Sequence, residues 1–270
     1  MTWARGHFEL PATPDGTQMP QTAQLVAAVA MAVLVAGFAA YAVREIARSR
    51  PVTLALLLIG GAVSYFNEPI DDVLGLVWHP VVGQWTALDT FARVPLWGLG
   101  IYIVFFGGMP YLILQSLRRE VTRRQLWGWV GVLAVVDVAV ELPVLASGIY
   151  SYYGDAPLQI GGFPVYWIVI NTVGPLALAV LLMAAGETFT GWRALYLLFL
   201  PMMCDAAGSV AVGWPIFSAL NAQASAPVRW LAAALTIAIG LGALDLLIAY
   251  AARMSAALVS TRTVGAAGIT

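Results

Sequence analysis

The chain has 270 residues, 61% hydrophobic and only 10% charged, with a mean hydropathy of +0.84, so most of it needs a solvent other than water. A formal net charge of −1 leaves no electrostatic case for nucleic acid. All basic residues are arginine, so a retinal-type Schiff base and a phosphate-binding P-loop, which both need lysine, are excluded, and the single cysteine, Cys204, excludes a disulfide or cysteine metal cluster within one chain.

A hydrocarbon core ~30 Å thick takes ~20 helical residues per crossing. The apolar windows predict an all-α membrane protein, a bundle of seven transmembrane helices. They run approximately from Gln24 to Val43, Val52 to Leu76, Val94 to Leu117, Leu126 to Leu145, Phe163 to Ala185, Ala194 to Phe217 and Val228 to Ala252. The segment before the first, "MTWARGHFELPATPDGTQMP", carries acids and prolines and does not resemble a short basic signal-peptide start, so helix one is expected to be retained.

Charge alternates between connections. Arg44, Arg48, Arg50, the arginines of "RREVTRR" at 118 to 124, Arg193, Arg253 and Arg262 fall on one side, and Arg5, Arg93 and Arg229 on the other. The positive-inside rule then puts residues 1–23 outside and a tail of residues 253–270 in the cytoplasm, flanking a transmembrane domain of residues 24–252. The connections 77 to 93 and 146 to 162, rich in Gly, Pro, Trp and Tyr, face outward, and the terminal "TVGAAGIT" is expected to be disordered.

A charge near the bilayer centre costs at least ~2.5 kcal/mol, so each acid within an apolar run needs a reason. Glu68, Asp71 and Asp72 lie in the outer part of helix two, Asp137 and Glu141 are spaced i, i+4 on one face of helix four, Asn171 lies on helix five and Asp205 near the middle of helix six. Asp245, on helix seven, is the one acid expected in the inner half. No arginine lies at the depth of the first group, so these acids are expected to stay neutral and able to donate a proton. Pro69, Pro143, Pro175 and Pro201 interrupt the same helices beside the acids. Broken backbone at membrane depth is tolerated where it lines a protein cavity, so one cavity is predicted in the outer half, with Tyr65, Trp97, Tyr102, Tyr153, Tyr166, Trp167 and Trp214 on its walls. Trp78, Tyr150 and Tyr152 are further candidates.

Simpler readings compete. Single acids can be hydrogen-bond partners between helices, Asp71 and Asp72 can be a solvated helix end, and the aromatics an interfacial belt. His79 is expected as a surface histidine at the water boundary.

Proton-initiated chemistry suits this set best. A neutral carboxyl group in a dry pocket donates to an alkene, epoxide, hydroxyl or ketone, a second one removes a proton, and aromatic walls stabilise a passing cation. Glu68 is the expected donor, with Asp205 or Glu141 as partner, while Asp71, Asp72, Asp137, Asn171 and Asn67 orient the substrate. No cofactor, no metal and no nucleic-acid partner are expected. The alternatives are a proton-coupled transporter or binder of a lipophilic ligand and, less favoured, a metal-dependent prenyl-diphosphate enzyme holding a cation on Glu68, Asp71 and Asp72.

Three stretches, "NEPIDDVLG" at 67 to 75, "QWTALDTFARVPLWGLGIYIVFFGG" at 84 to 108 and "GIYSYYGDAPLQIGGFPVYWIVINTVGP" at 148 to 175, resemble the AveC-like spirocyclase family of actinobacterial membrane proteins. The resemblance spans roughly residues 60 to 180. It implies a multi-pass protein of the bacterial cytoplasmic membrane that closes a spiroketal from a hydroxyketone polyketide, with dehydration also attributed to the family. It carries over no catalytic set. Seven-helix membrane terpene cyclases are similar in size, span count and embedded acids, but Asn67 stands where they have tryptophan.

Overall fold

The computed structural model describes residues 11–14, 16–48, 51–119 and 121–267, with side chains as far as residue 257. Arg5 and Arg50, two of the arginines in the charge count, lie outside the described residues, as does the side chain of Arg262.

The chain is built from α1 (Gln21–Ala47), α2 (Thr53–Ser64), α3 (Glu68–Gly75), α4 (Leu96–Tyr102), α5 (Met109–Leu117), α6 (Arg123–Ser147), α7 (Tyr166–Ala185), α8 (Leu200–Asn221) and α9 (Ala226–Ala267). Stacked end to end where they are broken, they form seven helices long and apolar enough to cross a membrane among the described residues. This is the predicted all-α seven-helix bundle, and it is the architecture of a multi-pass membrane protein. The predicted bounds shift at several ends, and Pro143 and Pro175, expected as interruptions, lie inside the unbroken α6 and α7. The last helix extends to Ala267, so most of the tail expected to be disordered is helical.

The breaks have local causes. Pro69 has no N–H to give to the Tyr65 carbonyl, so the chain between α2 and α3 tightens into a 3₁₀ turn, Tyr65–Asn67, in which the Glu68 N–H bonds Tyr65 instead. Between α4 and α5 the backbone widens into a π-turn, Ile103–Gly108, just before Pro110, which cannot donate to Phe106. The sixth crossing starts as a 3₁₀ segment, Gly191–Leu198, before α8. α6 starts cleanly in a capping box between Thr122 and Gln125.

Close helix crossings lock the interior. A side chain at Gly61 of α2 would meet the Tyr102 carbonyl at 2.8 Å, and one at Gly208 of α8 would meet the Gly174 N of α7 at 2.8 Å, so these crossings require glycine. α7 is the central helix, buried along most of its length against α5, α8 and α9, whereas α1 and α6 are largely exposed apolar outer helices.

The two ends of the bundle differ. At the arginine-rich end the α5–α6 turn is held to α9 by Ser255, which accepts from the Val121 N–H and donates to the Arg119 carbonyl. At the other end the long loops form three small antiparallel ladders: β1 (Val77–Trp78) with β4 (Ser151–Tyr152), β2 (Thr86–Asp89) with β3 (Arg93–Pro95), and β5 (Gln159–Ile160) with β6 (Phe163–Pro164). The Trp78 indole donates to Thr17 Oγ1, and Arg229 pairs with Asp155, tying the rest of this end together.

Candidate functional site

The break at Glu68–Pro69 sets the site. It turns Ser64 and Asn67 toward α8, where Ser64 Oγ (2.8 Å) and Asn67 Nδ2 (2.7 Å) both donate to Asp205 Oδ2, and Asn67 also reaches the Met202 carbonyl. Glu68, the next residue, points the other way: its Oε2 accepts from the Tyr102 hydroxyl at 2.7 Å. The Gly61 crossing brings the two chains close enough for that bond.

α3 ends at Leu76, whose φ of 55° is left-handed and reverses the chain. The chain then folds back over α3 as β1, pairs with β4, and delivers His79 onto the carboxylates beneath it. His79 Nε2 lies 3.4 Å from Asp72 Oδ2 and 3.8 Å from Glu68 Oε1. The surface histidine expected from the sequence is therefore a buried one, 5% exposed, and Asp71 and Asp72 at 6% and 2% are no solvated helix end. Its ring is flanked by Trp97 and Tyr150, with centroids 5.8 and 5.5 Å away. Burial works against protonating His79, but the carboxylates of Asp72 and then Glu68 outweigh it, and its pKa is pushed up to about 10.

These residues form one wall of a cavity roofed by the β1–β4 ladder. The cavity is lined by Glu68, Asp71, Asp72, Asp137, Glu141 and Asp205, by His79 and Asn171, and by Trp97, Tyr102, Phe105, Phe106, Tyr150, Tyr152 and Trp167. The cavity has a volume of about 100 Å³. Among the described residues, no arginine lines it. The opposite wall comes from α6, where Asp137 and Glu141 stand one turn apart. Asp137 Oδ1 accepts from Asn171 Nδ2 at 3.0 Å, while Asp137 Oδ2 and Glu141 Oε2 are buried with no hydrogen bond among the described residues. Burial, and then the Glu141 and Asp137 carboxylates, raise the Tyr152 phenol well above its ordinary pKa, so it stays neutral.

All eight acids and amides expected near the site converge here, with Asn67 reaching it through Asp205. Trp97, Tyr102 and Trp167 line the cavity as expected, and Tyr150 and Tyr152 join them. Four expected aromatics do not. Trp214 points outward at 64% exposed because it lies nine residues, about half a turn of α8, from the inward-facing Asp205, and Tyr65 is buried one layer back, donating to the Pro95 carbonyl. Tyr153 and Tyr166 also lie off the cavity, and Trp78 is held by Thr17. Asp245 is not an embedded acid; it is half exposed and paired with Arg123 from the start of α6. Ser64 and the engaged His79 went unrecognised, because only the backbone reversal at Leu76 and the α2–α8 contact bring them in.

The broken helices, the ladder roof and the acid-lined cavity define a multi-pass helical bundle with an embedded polar site. No family model, no curated protein and no solved structure matches the chain.

Proposed function

We propose that the chain is an integral enzyme of the bacterial cytoplasmic membrane, with the loop end and N-terminus outside and the arginine-rich end in the cytoplasm, that cyclises a lipophilic polyketide or isoprenoid by acid–base catalysis. The observation that carries this reading is the pair of buried carboxyl oxygens, Asp137 Oδ2 and Glu141 Oε2, left without hydrogen bonds on one wall of an aromatic cavity. A buried polar atom left unpaired costs about 1–3 kcal/mol, a cost that is offset when a substrate oxygen takes the proton.

Glu141 is the proton donor in this reading, protonating a ketone, hydroxyl or alkene. An internal hydroxyl or alkene then closes the ring and loses a proton to Asp137, and transfer of that proton from Asp137 to Glu141, one turn away on α6, restores acid and base. Carbocyclisation is then an isomerisation, and spiroketal closure from a dihydroxyketone also releases one water. Glu68, fixed by Tyr102, faces the substrate's polar end. Asp205, already accepting two hydrogen bonds, positions α2 against α8, which moves the partner role away from it.

An apolar groove between α1, α4 and α6, lined by Ala27, Met31, Ala139 and Pro143, shares Trp97, Ile101, Val140 and Val144 with the cavity, and supports sideways entry from the bilayer. A proton-coupled transporter would continue its acids toward the arginine-rich end, where Asp245 is instead in an exposed ion pair. A diphosphate enzyme would need several free cationic side chains, and among the described residues His79, already facing Asp72 and Glu68, is the only basic group in the lining.

The test offers purified protein in detergent a panel of hydroxyketone polyketides and polyprenyl substrates and follows product by mass spectrometry. Wild type is expected to form a cyclised product, and Glu141→Gln to lose at least ~100-fold in turnover. Undiminished turnover in Glu141→Gln, or no product from any substrate, overturns the reading.

A further inference from the structure

Glu68 Oε1, Asp72 Oδ2 and His79 Nε2 face one another in the wall opposite Glu141. One ligand atom from each lies within 4.8 Å of the other two. The His79–Asp72 separation of 3.4 Å, in the geometry found, leaves both imidazole nitrogens and Asp72 Oδ2 without a hydrogen bond among the described residues. Direct N–H···O bonds are ~2.7–3.2 Å long, whereas two ligand atoms on one tetrahedral ion with bonds of ~2.0–2.1 Å lie roughly 3.3 Å apart. The His79–Asp72 spacing suits two ligands of one ion, and Glu68 Oε1, 3.8 Å from His79 Nε2, stands about 0.5 Å outside it.

From this geometry we infer that Glu68, Asp72 and His79 form a binding site for one divalent first-row transition ion, with a coordination position open to the cavity. The donor set decides the class. Two carboxylates and an imidazole suit Zn²⁺, Mn²⁺ or Fe²⁺, while Mg²⁺ and Ca²⁺ prefer oxygen alone. The charge agrees, since two carboxylates and one divalent ion sum to zero in a cavity that holds no arginine. The surroundings hold the ligands in place. Tyr102 donates to Glu68 Oε2 and leaves Oε1 for the ion, and Trp97 and Tyr150 fix the plane of the imidazole. Among the described residues three protein ligands converge, the pattern of sites that keep a place for substrate or water, and Glu141 lines the same cavity. The ion's role in turnover rests on the cyclase reading; its binding does not.

Full-length protein in detergent is stripped with chelator, dialysed and titrated with Zn²⁺ or Mn²⁺ alone, with metal content read by elemental analysis and integrity by thermal unfolding. About one equivalent per chain is expected, with a higher unfolding midpoint. His79→Gln and Asp72→Asn are expected to bind at least ~100-fold more weakly, and Asp245→Asn, away from the cavity, as tightly as wild type. X-ray absorption on the zinc-loaded wild type, which needs no variant to fold, is expected to show one imidazole among oxygen ligands. Folded wild type that takes up no stoichiometric metal, a spectrum without imidazole, or unchanged affinity in a folded His79→Gln overturns the site. Stoichiometric metal with no product from any substrate overturns the cyclase reading and leaves the site standing; product with no metal uptake does the reverse.

Discussion

At the arginine-rich end Asp245 stands half exposed in an ion pair with Arg123, and Glu45 accepts a hydrogen bond from Tyr111, whereas beneath the loop end Asp137, Glu141 and Asp72 each keep a buried carboxyl oxygen with no hydrogen bond among the described residues. Both groups are acids on apolar helices, and composition alone treats them alike. What separates them is whether the fold leaves a buried carboxyl oxygen without a hydrogen bond, since Asp137 still bonds Asn171 and Asp72 still faces His79. A paired acid holds helices together or sits in water, while a buried, unpaired one is available to a substrate or an ion. Asp205 lies between the two cases, inside the cavity wall but already engaged by Ser64 and Asn67.

The largest effect should come from removing that engaged acid. Asp205→Ala leaves the Ser64 and Asn67 donors buried without an acceptor and is expected to cost about 2–6 kcal/mol of stability, read as a lowered thermal midpoint in detergent. Asp205→Asn, which can still accept, should recover most of it. If Asp205→Ala melts like wild type, the engaged acid is not structural.

Glu141→Gln is expected to do the opposite, with a near-native melting temperature and the ~100-fold loss of turnover already described. A variant that unfolds would place Glu141 with the paired acids and erase the contrast.

Gly208→Ala probes the frame that holds both walls. Its new methyl would lie 2.8 Å from Gly174 N, so α7 and α8 must separate, at an expected cost of about 1–3 kcal/mol and with reduced turnover as Asp205 and Asn171 shift. Unchanged stability and activity would show that the crossing tolerates the shift.

Asp245→Asn should have the smallest effect. An ion pair with both side chains about half exposed contributes under ~1 kcal/mol, and turnover is expected to be that of wild type. A loss of turnover in a folded Asp245→Asn would revive a proton path toward the arginine-rich end.

The seven apolar helices, the position of most acids along their helices and the breaks at Pro69 and near Pro201 were determined by the sequence alone, whereas the break before Pro110 was not expected and Pro143 and Pro175 break nothing. Hydropathy and the missing proline N–H act within one or two turns, so they can be read locally. What only the tertiary structure decided is which side chains meet. Nine residues separate Asp205 from Trp214, about half a turn round α8, so the spacing sets them on opposite faces, and only the packing of α8 decides that Asp205 is the one that faces in. The Ser64–Asp205 bond joins residues 141 apart, through helices that glycine lets come together. The reversal at Leu76, a left-handed residue that is not glycine, turns His79 from an expected surface residue into the partner of Asp72 and Glu68. Helix rotation and loop reversal depend on contacts distant in the chain, and it is these contacts that turned scattered acids into one site.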